Sequence, residues 1–482
     1  MSLCMGCKNE IIRSSCKVEN GRISAKSYQR VFPCGSGNPI PVRYNPKKYY
    51  LGCMLYYFGK VVMWITLHFY FRRITFVGKD TIPDDEAVIL ISNHSASFLD
   101  AMLMGVLMKR PVSFYARSDI FRKPMVNRIL RKFHMIPIYN IEHGKANLVR
   151  NEETFAEGER ILNDKGMLLI FPEGTSRVER IMLPLKKGTA RVAIQTESKK
   201  DFTLGIRVIP VGINYSRHRF RADVLLQTGE PTRIDRYAEA YRENPAKAIT
   251  QLTRELEEKF AGTILFVKQA DRTNLIDRLL ELYRNDVFRP ADHLRGVPML
   301  AMEKKVCAAV SELGDDVARE LSGNLDRYDG LLLRYGFSDA SVNGRYHFAL
   351  LHLFGLLVFF PVFILGFMLN IIPLRFGKWV ADKTVTRIDF YTSVNTAAGG
   401  FGYLLWWLLI IVAAVIIGNG WVWLAVLTAP VTLFAGMRWW EAFQAFISHV
   451  RYLLAKRTNK ELVLELAALR SRVSIWKQAG ME

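Results

Sequence analysis

Residues 91–100 read ISNHSASFLD, directly behind the apolar run AVIL. A buried strand thus ends in an Asn-His pair, and a helix begins with an aspartate six positions past the histidine. An imidazole at a strand end can take a proton from a hydroxyl near neutral pH when a carboxylate holds the ring in one tautomer. His94 and Asp100 are the candidate pair. Along one straight helix, six residues turn through about 600°, which puts the two side chains on different faces. They meet only if His94 lies in the turn and Asp100 in the first helical turn. Ser97, opening a capping-box-like S-F-L-D, is consistent with that start. The plainer reading is an aspartate favouring a helix N-terminus beside a buried, satisfied histidine.

A second stretch, MLLIFPEGTSR at 167–177, ends a strand in a Pro-Glu-Gly turn followed by small hydroxyl residues and an arginine. Gly174 permits close backbone approach, and Arg177 can fork onto a phosphate. Lys186 and Lys187, in LKKGTARVA, follow at the start of a helix. Alone, a P-E-G turn is an ordinary strand terminator.

Both stretches sit in an α/β pattern. ITFVG, AVILIS, PVSFYA, MIPIYN, GMLLIF and RVIPVGINY read as strands, and FLDAMLMGVLM, FRKPMVNRILRKF and EETFAEGERILND as helices. Short apolar runs bounded by turn residues predict a mixed, mostly parallel sheet covered by helices over 74–235.

Around this domain the expected order is a flexible leader at 1–45, a membrane-anchoring helical segment at 46–73 and a charged, solvated helical extension at 236–345. Membrane-embedded helices at 346–437 and a basic cytoplasmic tail at 438–482 complete it. The anchor has Lys60 near its middle and cationic flanks, which suit an interfacial helix at least as well as a span. The run from Phe348 to Leu374 is free of charge, and Arg375, Lys378, Lys383 and Arg387 follow it. Basic loops favour the cytoplasmic side. The run is therefore expected to enter and leave on one face, broken at Pro361, ahead of a two-helix hairpin turning at Gly418–Gly420.

Composition narrows the partners. Half of the 482 residues are hydrophobic, 23% are charged, and the net charge is +21. A basic chain with apolar segments matches anionic membrane lipids better than nucleic acid, for which no recognisable module appears. Six cysteines without a preceding signal segment point to a reducing, cytosolic side. Cys4 and Cys7 form a C-x-x-C, but Cys16 and Cys34 are not paired at zinc-ribbon spacing, so no metal is expected. No P-loop or dinucleotide fingerprint occurs, and no bound cofactor is expected.

Taken together the blocks resemble the glycerophospholipid (lysophospholipid) acyltransferase family. NHSASFLD is followed in order by ARSDIFRKPMVNRILRKFHMIPIYN, by FPEGTSR and by VIPVGINYS. The resemblance implies that His94 is the general base for an acceptor hydroxyl and Asp100 its orienting partner. Glu173, Gly174 and Arg177 would shape the acceptor site with Asn93 and Thr175, while Arg177 and Lys187 hold a phosphate and Arg117 or Arg122 adds positive charge. It also implies acyl-CoA or acyl carrier protein as donor and a glycerol-phosphate acceptor, at the cytoplasmic face of a bacterial or endoplasmic-reticulum membrane. Two positions depart from the family's commonest pattern. The spacing is H-x5-D rather than H-x4-D, which resembles the branch acylating glycerol-3-phosphate or dihydroxyacetone phosphate. His134 and Asn140 replace the second block's glycine and arginine, with Lys145 or Arg150 as substitutes for the latter.

The leading expectation is acyl transfer to 1-acyl-sn-glycerol-3-phosphate, giving phosphatidic acid, with glycerol-3-phosphate as the alternative acceptor. A serine hydrolase using Ser95 or Ser97 lacks a G-x-S-x-G elbow. A non-catalytic lipid-binding scaffold is the third class.

Overall fold

The computed structural model describes residues 15–19, 22–26, 46–139, 145–287, 299–344 and 349–478. It begins with β1 (Ser15–Glu19) and β2 (Arg22–Lys26), an antiparallel hairpin. The leader expected to be flexible therefore contains paired strands, in which Val18 lies opposite Ile23. Its other residues, including Cys4, Cys7 and Cys34, lie outside the described residues.

The anchor is helix α1 (Pro46–Tyr70). Met54, Phe58, Val61 and Ile65 face outward, whereas Tyr56, Leu67 and Tyr70 are buried, so one face packs on protein and the other is an exposed apolar row. Lys60 lies on the packed side. Its ammonium donates to the carbonyl of Met108 at the end of α2 (Phe98–Leu107), which explains a lysine inside an apolar helix.

The α/β unit continues through β3 (Arg73–Val77), β4 (Val88–Ile91), α2, β5 (Val112–Arg117), α3 (Pro124–Lys132), β6 (Met135–Ile138) and α4 (Lys145–Asn163). Then follow β7 (Met167–Ile170), α5 (Gly188–Ser198), β8 (Arg207–Tyr215), β9 (Asp223–Thr228) and β10 (Thr232–Arg233). The sheet order is β3-β9-β8-β4-β7-β5-β6, with β10 added to β8. β8, β4, β7, β5 and β6 are mutually parallel, and β9 runs antiparallel to β8. β4 is VILI and fully buried, as expected of a central strand covered on both faces.

The expected domain end near 235 is too early. After α6 (Ala238–Glu243), helix α7 (Pro245–Ala261) lays Leu252, Leu256 and Phe260 into the same core as Ile89, Ile91 and Val208. Gly212 of β8 allows this, because a Cβ there would meet the carbonyl of Thr263.

The extension is likewise not merely solvated. Helices α8 (Thr273–Val287), α9 (Met299–Glu312), α10 (Asp315–Tyr335) and the short α11 (Asp339–Val342) bury a core of their own. Leu275, Ile276, Leu279, Leu280 and Tyr283 recur at helical spacing and supply its face on α8. The basic tail joins that core. After α12 (Ala349–Thr384), α13 (Ile388–Ile417) and α14 (Gly420–Thr458), helices α15 (Lys460–Val473) and α16 (Ile475–Gln478) insert Leu466, Val473 and Trp476. Arg470, buried, ties the two parts together through Asp286 and Asp339, each at 2.8 Å.

Among the described residues, three helices, α12–α14, are long and apolar enough to cross a membrane. The break expected at Pro361 is absent, since α12 runs on through Pro361 and Pro373. Proline lacks an N–H, so the carbonyl four residues earlier loses its helical donor. Two adjacent tryptophans of α13 supply replacements. Trp406 Nε1 donates to Leu369 O, four before Pro373, at 2.8 Å, and Trp407 Nε1 donates to Val426 O, four before Pro430, at 2.9 Å. Converting either tryptophan to phenylalanine keeps the ring and deletes the donor. Each change is expected to cost about 1 kcal/mol, read as a lower thermal midpoint of the detergent-purified protein.

Both ends of α12 nonetheless lie on the side of the α/β domain. Leu356 meets Trp439, Gly366 and Asn370 meet Thr432, and Gly377 meets Asn395. The first half of α12 thus runs antiparallel to α14 and the second half antiparallel to α13. The ends of α13 and α14 that it approaches are those touching the rest of the protein, through Ser393 to Ala96 and Glu441 to Arg221.

Candidate active site

Three neighbouring parallel strands, β8, β4 and β7, end at the same sheet edge, where α/β proteins bind ligands. β4 delivers the turn carrying His94, β7 delivers Phe171 and Glu173, and β8 delivers Tyr215. The turns are stitched together by the backbone, with Ser92 N on Ile170 O at 3.2 Å and Arg177 N on His94 O at 2.9 Å.

His94 Nδ1 lies 3.0 Å from Asp100 Oδ2. Asp100 is completely buried, and the same oxygen accepts from Ala96 N at 2.9 Å. Its other oxygen accepts from the Tyr215 hydroxyl at 2.6 Å. Three donors converge on one carboxylate, so Asp100 can only act as acceptor and Nδ1 must donate. The Nε2 lone pair is then left for a substrate proton. The His94 ring stacks on Phe171, centroids 4.0 Å apart and planes at 19°, and its side chain is 22% exposed. Burial and the Asp100 charge push the Tyr215 phenol well above its ordinary pKa, so it remains a donor.

Neither Ser95 nor Ser97 hydrogen-bonds His94, which removes the geometric basis of a serine nucleophile. Ser97 occupies the N-cap of α2, but its side chain makes no capping bond, contrary to the capping-box expectation. Its backbone stands at φ 51, outside ordinary L-residue space. Asn93 faces the protein, with both ends of its amide on the Ile213 backbone at 2.7 and 2.8 Å. That bond pair extends the β4–β8 pairing past the strand end. It leaves Asn93 a framework role where substrate contact was expected.

Glu173 is buried, and burial together with the Asp100 charge pushes its carboxyl up to about 7, opposed by the His94 N–H and by Arg177. Gly174 has φ 71, and a Cβ there would collide with the Lys186 side chain, which lies across it. Thr175 and Arg177 are exposed, and Arg177 forms no salt bridge among the described residues. Lys187 is turned away, donating to Thr250 at 2.9 Å, so Lys186 takes the place at the turn expected for its neighbour. Arg117 ends β5 at the same edge but pairs with Asp119 at 2.8 Å. Arg122 is exposed ahead of α3. His134, where the resemblance puts glycine, has φ 59, the left-handed region that makes glycine usual there. Asn140 and the side chains of Lys145 and Arg150 lie outside the described residues.

Sequence reasoning missed four supports. Tyr215 and Phe171 lie inside quoted blocks, but only the strand order brings them to His94. Arg180, buried, donates to Tyr215 O and pairs with Asp277 of α8, joining the extension to the site. His218 lies beside Tyr215, ring centroids 5.1 Å apart and planes tilted by 48°, and burial and Arg180 push it down to about 4, so it is neutral at pH 7. No local pattern marks either residue.

Comparison with known proteins gives a consistent set. Residues 73–214 match the Acyltransferase family model. A Saccharomyces cerevisiae protein named glycerol-3-phosphate O-acyltransferase 2 is 30% identical over 29% of this chain and 19% of its own length. Human 1-acyl-sn-glycerol-3-phosphate acyltransferase beta is 30% identical over 30% of this chain and 54% of its own, and a Limnanthes douglasii 1-acyl-sn-glycerol-3-phosphate acyltransferase is 25% identical over 33% and 57%. The chain thus spans under two thirds of each of these relatives. A solved structure of the 1-acyl-sn-glycerophosphate (LPA) acyltransferase PlsC from Thermotoga maritima aligns with TM-score 0.31 and 22% identity, over 45% of this chain and 84% of that one.

Proposed function

From the premise that the α/β domain of this chain is a glycerophospholipid acyltransferase domain, we propose that it moves a fatty acyl group from a thioester donor to a hydroxyl of a glycerol phosphate. The observation that carries this reading is the His94–Asp100 contact at the sheet edge, beside the FPEGTSR turn. His94 Nε2 takes the acceptor's hydroxyl proton as the oxygen attacks the thioester carbonyl carbon. The C–S bond then breaks, and the departing thiolate recovers the proton from the imidazolium, giving an ester and a free thiol. No acyl-enzyme is formed, and no resident cofactor enters the scheme. Asp100 stabilises the transient imidazolium and holds the ring. Placing both reactants at one edge supplies attack geometry.

Arg177, exposed and without a salt bridge, and Lys186 across Gly174 are the groups for the acceptor phosphate. Glycerol-3-phosphate is the favoured acceptor, because the H-x5-D spacing and the yeast relative's name agree. 1-acyl-sn-glycerol-3-phosphate is the second reading, supported by the names of the human and plant relatives. Purified protein offered each acceptor with labelled acyl-CoA and with acyl carrier protein decides acceptor and donor together. Absence of transfer to either acceptor from either donor would overturn the proposal. With the working acceptor, Arg177→Ala is expected to raise KM about tenfold or more, since a charge-assisted contact is worth about 1.5–3 kcal/mol.

The membrane is the remaining partner. α3 exposes Met125 (70%) and Ile129, flanked by Arg122, Arg128 and Lys132, and it packs on α1, which carries its own outward apolar row. That pairing supports contact with an anionic lipid surface. The basic residues in the last turns of α12 and just beyond it, Arg375, Lys378, Lys383 and Arg387, support a cytoplasmic active site.

A further inference from the structure

We propose that Ser393, on membrane helix α13, is a positioning residue for the His94–Asp100 pair. The inference rests on the acyltransferase reading above. The first turn of α2 needs acceptors for its free N–H groups. Asp100, in that first turn, is occupied with Ala96 N, His94 and Tyr215, and the Ser97 side chain at the N-cap bonds none of them. Asp100 N reaches Ser97 O at 3.2 Å and Leu99 N reaches Ala96 O at 3.1 Å, and a side chain from outside the α/β domain bridges both ends of the second contact. Ser393 Oγ accepts from Leu99 N at 3.0 Å and donates to Ala96 O at 2.5 Å. It is 3% exposed and therefore shielded from water that would otherwise replace it.

The two bonded backbone groups flank Ser97, whose φ of 51 is strained for an L-residue. They also lie between His94 and Asp100, so one hydroxyl holds the kink that converts a strand end into a helix start and sets the imidazole–carboxylate distance. Ser393 stands outside the matched domain of residues 73–214. The turn is thus braced by the membrane region, and an α/β domain without α13 would lack the Ser393 bridge. Neighbouring contacts on α13 agree. Gly400 packs so closely on Thr66 of α1 that a Cβ would meet it, holding α13 in register beside the turn.

The test uses the full-length protein in lipid nanodiscs, comparing Ser393→Ala, Ser393→Thr and His94→Ala with wild type. Ser393→Ala is expected to lower kcat about tenfold or more while KM for acceptor and donor changes little, as for a small misplacement of a reacting group. Ser393→Thr, which keeps the hydroxyl, is expected to recover most of the rate. Thermal midpoints measured in parallel separate misfolding from mispositioning. Two results overturn the inference: Ser393→Ala with wild-type kcat, or equal losses in Ala and Thr variants that both keep the wild-type midpoint. If Ser393→Thr is destabilised by its extra methyl, Ser393→Cys replaces it as the near-isosteric variant with a weak acceptor, expected between Ala and wild type. If wild type itself transfers no acyl group, or His94→Ala keeps its rate, the acyltransferase reading fails, an outcome distinct from failure of the Ser393 inference alone.

Discussion

Replacing His94 by alanine is expected to lower kcat/KM for acyl transfer by about 10²- to 10⁴-fold, the range that a positioned general base contributes. The fold should survive. His94 lies on the surface of Phe171 with part of its side chain in solvent, and its removal takes one of three donors from Asp100. Ala96 N and the Tyr215 hydroxyl stay in place, so the buried carboxylate is not orphaned. Membrane association depends on α1 and α12–α14, none of which touches the imidazole in the described contacts. The measurement is labelled acyl transfer by wild type and variant at matched thermal midpoint and membrane fraction. Turnover within a few fold of wild type would mean the fold serves a different role, the lipid-binding scaffold included.

The second large effect is at Asp100. Asp100→Ala would leave Ala96 N and the Tyr215 hydroxyl without an acceptor in a fully buried site, at about 1–3 kcal/mol each, so lost activity there would be ambiguous. Asp100→Asn is the sharper probe. Its carbonyl oxygen can still accept from Ala96 N and His94, while its NH₂ faces the Tyr215 oxygen, which accepts as well as donates. What disappears is the negative charge facing the imidazolium. At an effective dielectric constant of about 20 and a separation near hydrogen-bond length, that charge is worth several kcal/mol. A fall in kcat of about 10²-fold or more is therefore expected, with KM little changed and the thermal midpoint lowered by only a few degrees. Undiminished kcat would show that Asp100 serves the helix N-terminus alone, the plainer reading of its position.

These two predictions rest on residues that the sequence already singled out, and the reason is their proximity along the chain. A strand end, a turn and a first helical turn are local events, coded by an apolar run, small residues and a helix-favouring stretch within ten positions. The FPEGTSR turn is legible for the same reason. So is the sheet, because short runs buried on both faces leave few arrangements other than parallel strands between helices.

Contacts between distant residues were not legible. Lys186 and Lys187 are adjacent and chemically alike, yet the helix start turns one across Gly174 and the other to Thr250. Nothing in LKKG distinguishes them. Asn93 looked like a site residue until β8 was set beside β4 and took both ends of its amide. The charged extension looked solvated because its charges are interleaved with the apolar positions that form its core, to which the basic tail adds. Pro361 looked like a helix breaker, yet α12 runs on through it.

By itself the sequence singled out the His94–Asp100 stretch, the FPEGTSR turn, the domain class and the apolar segments, all through residue type and short-range spacing. Tertiary structure alone decided that Tyr215 and Ser393 reach the His94–Asp100 turn and that Phe171 backs the imidazole. The physical reason is that periodicity states which face of an element must be buried, whereas the partner burying it follows from strand order and helix packing.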